Sequence, residues 1–111
     1  MEIRILTIEG CPNALDAENL VRELLDSEGL EARVAVVLVD EADQAGAPGF
    51  LGSPTVQVDG VDVEASRREE QDFCFSCRVY RTPSGVTGTP PHEMIRAALR
   101  AGRRREPVVR R

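Results

Sequence analysis

Lysine and tryptophan are both absent from this chain. Every one of its fourteen basic residues is arginine, which reads as compositional bias and leaves few easily neutralised ammonium groups. Aromatics are scarce, three Phe and one Tyr, and there is a single histidine, His92. The three cysteines are too few and too unevenly spaced for a disulfide-stapled secreted scaffold. In a reducing compartment they point to metal binding, to redox chemistry, or to neither. No apolar run reaches the roughly 20 residues that a bilayer-crossing helix needs. The opening residues enter a strand pattern with no basic lead. The expectation is a soluble, unexported, cytoplasmic protein with no membrane partner. The glycines near Gly85 and Gly88 are followed by no Gly-Lys-Ser/Thr, so they make no phosphate loop. No internal repeat is present.

The 111 residues suffice for one domain with a real core. At 41% hydrophobic and 30% charged, the composition is that of an ordered globular chain. The net charge of −5 is split. Residues 96–111 carry seven Arg against one Glu, and the remainder carries seven Arg against eighteen acids. The basic end could contact phosphates, but no aromatics interleave it and the acidic body opposes it. A solvated helix end complementing its own dipole is the expectation, and nucleic acid is not an expected partner.

The chain is organised around residues 3–25. Ile3, Ile5, Leu6 and Ile8 make a short apolar run suited to one buried strand. Gly10 stops it, and Cys11-Pro12 stands where a helix should begin, with Pro12 suited to the first helical position. Leu15, Ala17, Leu20, Val21, Leu24 and Leu25 then recur at helical spacing, and Gly29 suits the C′ position. A thiol at a helix N-terminus meets free N–H groups and the positive dipole end, both of which favour thiolate. The alternative is that Cys11 is a small half-buried cap.

Ala32–Val39 is nearly all apolar, as in a parallel strand buried on both faces. With the first strand and helix it predicts a right-handed βαβ unit. Residues 40–49 read as loop, with room for a short helix at Glu41–Ala45. Pro54 opens a strand at a position where its missing N–H can be spared. Asp59-Gly60 is a strong hairpin signal between Val56-Gln57-Val58 and Val61-Asp62-Val63, whose valines share one face. The segment 65–89 fits no simple element. It opens on a charged turn, Arg67-Arg68-Glu69-Glu70, and closes in a Pro83–Pro91 loop. A last helix is expected from Pro91 to Ala101, closed by Gly102, with a flexible basic tail at 103–111. The reading is an α/β domain over residues 1–102, with a four-stranded mixed sheet.

The order strand, Cys11-Pro12, helix, strand, Ser53-Pro54-Thr55, hairpin, helix resembles the thioredoxin-like superfamily. The resemblance spans Met1 to about Glu64 and resumes in the last helix. It implies a βαβ…ββα fold with Cys11 as reactive thiol and a cis Ser53–Pro54 bond beside it. Pro12, Ser53, Pro54 and Thr55 would then shape a substrate groove. Two departures stand out. Ala14 occupies the place of the family's second cysteine, so Cys11 has no partner within its own helix. The 65–89 insertion brings its own Cys74-x-x-Cys77 pair.

Cys74 and Cys77-Arg78-Val79-Tyr80 more weakly resemble the cysteine region of organomercurial (alkylmercury) lyases, with Asp72 in the place of an acidic proton carrier. Two functions are therefore expected side by side. The first is a thiol redox protein acting on a protein or small-molecule disulfide. In it Cys11 is the nucleophile, Cys74 or Cys77 resolves, and no cofactor is required. The second is a soft-metal or organomercury-handling protein that binds through Cys11, Cys74 and Cys77. Thiolates suit Hg(II) or Cu(I) better than zinc, and zinc would want a further ligand such as His92. A third possibility is a binding module with no thiol chemistry, in which Cys74 and Cys77 are small hydrophobes buried beside Phe73, Phe75 and Tyr80.

Overall fold

The computed structural model describes residues 1–42, 49–70 and 73–105. The chain is a mixed α/β protein built on a four-stranded mixed sheet and two helices. The strands are β1 (Glu2–Thr7), β2 (Arg33–Leu38), β3 (Thr55–Val58) and β4 (Val61–Asp62), in the order β2-β1-β3-β4. β1 pairs parallel with β2 and antiparallel with β3, and β4 is antiparallel to β3. The helices are α1 (Ala14–Ser27) and α2 (His92–Arg105). Two further strands, β5 (Tyr80–Thr82) and β6 (Gly85–Thr87), form a separate hairpin inside the 65–89 insertion. None of the described helices is long and apolar enough to cross a membrane. The short helix expected at Glu41–Ala45 falls largely outside the described residues, as does the tail from 106 onward.

Local sequence explains most of these elements. Asp59 (φ 51°) and Gly60 (φ 81°) are both left-handed, which is what a two-residue type I′ hairpin turn demands. Val58 and Val61 flank that turn as partners. At the end of α1, Leu30 N donates to Leu25 O at 2.9 Å and Gly29 N to Asp26 O at 3.1 Å. With Gly29 at φ 65°, this is a Schellman motif. The Ser53–Pro54 bond is cis, as the resemblance implies.

α1 begins later than expected. Cys11 N donates to Ile8 O at 3.2 Å and Ala14 N donates to Cys11 O at 3.4 Å, so Cys11, Pro12 and Asn13 form a turn. Asn13 is the N-cap residue, and Pro12 precedes the helix instead of opening it. Leu15 is also off the apolar face, at 65% exposed. The buried stripe is Ala17, Val21, Leu24 and Leu25. Leu15 lies two residues before Ala17, about 200° around the helix.

Gly102 does not end α2, which continues through Arg105. A Cβ on Gly102 would lie 2.9 Å from Val58 Cγ1 and 3.2 Å from Met1 Cε. The glycine is there because α2 lies against β3 with no room for a side chain, so Arg103–Arg105 belong to the helix.

Both helices cover one sheet face. Ile3, Ile5, Val56, Val58 and Val63 meet Ala17, Val21, Leu24, Leu25, Ile95, Ala98 and Leu99 there. Each aliphatic side chain fully buried contributes roughly 1.5–3 kcal/mol. On the other face Leu6, Val39 and Phe50 pack together, with Phe73 of the insertion 5.6 Å from Phe50 between ring centroids.

β2 departs most from expectation. It is the outer strand and is not buried on both faces; Val36 is 46% and Leu38 63% exposed. An all-apolar strand resembles a central one in sequence whether or not a neighbour covers it.

The helices are tied by Glu28. Its carboxylate accepts from Arg100 Nε at 2.7 Å and lies 3.8 Å from Arg96 Nε. The hydrogen bond from Arg100 holds the Glu28 carboxyl below its ordinary value near 4.5, against a smaller opposing effect of burial. A depressed folded-state pKa contributes stability above the unfolded value and loses it as pH falls through the folded one. The urea midpoint of the protein should therefore exceed that of Glu28→Gln at neutral pH. The gap should close as pH drops below 4.5. A gap independent of pH would show that Glu28 acts by packing alone.

Candidate thiol site

β1 delivers the chain into the turn that carries Cys11, and Gly10 (φ 75°) makes that turn possible. Cys11 is half-buried and Pro12 exposed. The loop before β3 reaches this turn through Ser53. Ser53 is fully buried, and its Oγ accepts from Ile8 N at 3.1 Å. Pro54 is also buried. Thr55, fully buried, donates from Oγ1 to Gly52 O at 2.6 Å and accepts from Leu51 N at 3.2 Å. The polar groups of Ser53 and Thr55 are thus used inside the fold.

The insertion docks onto the same loop. Ser53 N donates to Ser76 O at 2.8 Å, and Arg78 N donates to Ser53 O at 2.9 Å. Ser53 and Cys77 form a parallel bridge. Cys74 N donates to Phe50 O at 3.1 Å, and Cys74 Sγ lies 2.9 Å from Ser76 Oγ. Ser53 therefore joins two thiol-bearing segments, with Ile8 and the Cys11 turn on one side and Ser76-Cys77-Arg78 on the other. The far end of the insertion returns to that turn, because a Cβ on Gly88 would collide with the Asn13 side-chain amide.

All three cysteines are free thiols, and Cys74 and Cys77 are exposed. They are not small core hydrophobes beside Phe73, Phe75 and Tyr80; of those aromatics only Tyr80 is fully buried. Among the described residues no three or more His, Cys, Asp or Glu side chains are grouped as a metal site. Cys11, Cys74 and Cys77 form no such group. His92 opens α2 in an exposed position, and Asp72 lies outside the described residues.

The charged residues beneath the thiols escaped the sequence reading. The Arg78 side chain is fully buried. Its Nη1 and Nη2 each donate to an Asp62 carboxylate oxygen at 2.8 Å, and Nη2 also donates to Glu64 Oε1 at 3.3 Å. Nη1 reaches Thr55 Oγ1 at 3.2 Å, and the guanidinium carbon lies 4.2 Å from the Tyr80 ring centroid. Glu64 accepts a further bond from Arg81 N at 3.1 Å. Tyr80 OH donates to Pro54 O. Burial alone would weaken proton binding by Arg78, but the hydrogen bonds to Asp62 and Glu64 outweigh it and raise its pKa. Burial pushes the Tyr80 phenol far above its ordinary range, against the opposing charge of Arg78. A signal was present in period two. Arg78 and Tyr80 are two apart, as are Asp62 and Glu64, so each pair can share a strand face.

The arrangement provides an exposed, three-residue-spaced dithiol on a segment anchored at Arg78, joined through Ser53 to a third thiol in a tight turn. Thiols so exposed can meet a macromolecular or small-molecule sulfur compound. Comparison with family models, curated proteins and solved structures finds no match for the chain.

Proposed function

We propose that this chain is a thiol-based redox protein of the thioredoxin-like kind. The strand order β2-β1-β3-β4, with both helices on one face, is consistent with that fold. The observation that carries the reading is the junction at Ser53, where the Cys11 turn and the Cys77 segment are held by the same residue. The Cys11 thiolate attacks one sulfur of a substrate disulfide, forming a mixed disulfide and releasing one substrate thiolate. Cys74 or Cys77, as thiolate, then attacks the Cys11 sulfur and releases the second substrate thiol. Two electrons pass to the substrate, and the protein is left with one intramolecular disulfide. A low-molecular-weight dithiol or a reductase-class partner returns it to the reduced state.

Mild oxidation of the wild type is expected to give one intramolecular disulfide, and Cys11→Ser to change which pair forms. Insulin disulfide reduction should fall by at least about tenfold in Cys11→Ser, since the attacking thiolate is lost. Release of inorganic mercury from an organomercurial, assayed with the same three single Cys→Ser variants, tests the soft-metal reading. Carbon–mercury cleavage that needs Cys11 or the Cys74/Cys77 pair would replace the redox proposal. Neither activity would leave a binding module.

A further inference from the structure

We propose that two copies of this chain associate through β2, edge to edge and antiparallel, about a twofold axis at Val37. β2 is the outer strand of the sheet. Its bonds to β1 use the odd-numbered residues, with Arg33 N donating to Met1 O at 3.1 Å and Val39 N to Thr7 O at 2.7 Å. The N–H and C=O groups of Val34, Val36 and Leu38 therefore point to the open edge. Soluble proteins blunt such edges with charges, prolines or bulges. β2 has no proline or bulge and only one charge, Arg33 at its start: residues 34–39 are all apolar, and the register with β1 runs unbroken over six pairs. Val36 and Leu38, the partners of Ile5 and Thr7, are left exposed on the helix face of the sheet.

Twofold antiparallel pairing restricts the register, because one residue must face its own copy. Centring on Val37 sets Val36 of each copy beside Leu38 of the other, at both ends of the strand pair. It also brings Arg33 of each copy toward Glu41 of the other, in the turn just past the end of β2, where the two opposite charges can pair twice. Arg33 and Glu41 are exposed, and neither has an ion pair among the described residues. Centring on Val36 instead sets Arg33 against Val39 and gains no charge pair. Charge complementarity thus selects a second copy as the occupant and Val37 as the centre. The edge lies across the sheet from β4, and Val37 and Val39 share a cluster with Ile8 and Phe73 of the insertion on the face away from the helices.

Sedimentation equilibrium of the full chain under reducing conditions tests this. The mass should rise with concentration toward twice 12.2 kDa. Arg33→Glu and Glu41→Arg should each weaken association by about tenfold or more, because each turns two attractions into repulsions. The double variant should recover it. Val36→Pro removes an outward N–H while sparing the β1 ladder and should abolish the dimer, with circular dichroism checking that the fold persists. If that variant fails to fold, the charge swap alone decides. A wild type that stays monomeric up to about 1 mM, an affinity of only about 4 kcal/mol, would overturn the proposal. So would a dimer indifferent to the charge reversals, or a double variant that fails to recover.

Discussion

Replacing Arg78 by methionine is expected to destabilise the protein by about 3–5 kcal/mol, the range seen when one partner of a buried ion pair is removed. The Arg78 side chain is wholly buried, and the two carboxylates it serves are nearly so, at 7% exposed for Asp62 and 5% for Glu64. Methionine fills much of the volume but supplies no donor. Asp62 keeps the bond from Glu64 N, and Glu64 the bond from Arg81 N, but both lose their neutralising charge. The cost is then the desolvation of uncompensated carboxylates. Arg78→Lys should recover only part of the loss, because an ammonium group cannot make the two-pronged contact to Asp62. Urea unfolding followed by circular dichroism measures all three proteins. A loss under about 1 kcal/mol, the range of exposed pairs, would show that water reaches the cluster.

Gly52→Ala is the second substitution with a large expected effect, for two reasons that act together. Gly52 has φ +117°, and a Cβ there would lie 2.9 Å from Arg78 Cβ and 3.2 Å from its Cα. An L side chain in that backbone region is strained by about 1–3 kcal/mol. The collision is with the backbone and stem of a fully anchored residue, which has no rotamer to escape into. Overpacking of this sort costs a further 1–3 kcal/mol or so. The loop before β3 and the Cys77 segment would have to part, breaking the Ser53–Arg78 backbone bond. Two readings should move together: the urea midpoint should fall, and hydrogen exchange at the Ser53 and Arg78 amides should quicken more than in α1. Unchanged exchange at those two amides would mean that the insertion is not held at Gly52.

The elements of this chain were legible because their causes are local. The apolar run at Ile3–Ile8, the helical stripe from Ala17 to Leu25, Gly29 and Asp59-Gly60 each follow from backbone preference or periodicity within a few residues. The β5–β6 hairpin was missed inside a segment read as irregular. Its cue was Pro83-Ser84-Gly85, where Thr82 Oγ1 accepts from Ser84 N at 3.2 Å and donates to Gly85 O at 3.0 Å. The three cysteines were visible at once, but their exposure was not, since it depends on what the insertion packs against.

The sequence by itself determined the order of the four sheet strands and the two helices, the hairpin turn at Asp59-Gly60, the helix stop at Gly29 and the positions of the thiols. Only the tertiary structure decided which faces meet water. The valines of β3 and β4 mark a core face, but alternation cannot show that the opposite face, with Asp62 and Glu64, is also covered. That follows from an arginine sixteen residues beyond Asp62 folding back to bind it. Equally, the apolar pattern of β2 promises burial, yet no strand of the described chain lies outside it. Gly102 reads as a helix stop until Val58 is found against it. Periodicity sorts residues into faces through local geometry, whereas burial is the work of distant segments. A carboxylate, a valine or a glycine acquires its role only when such a segment arrives or stays away.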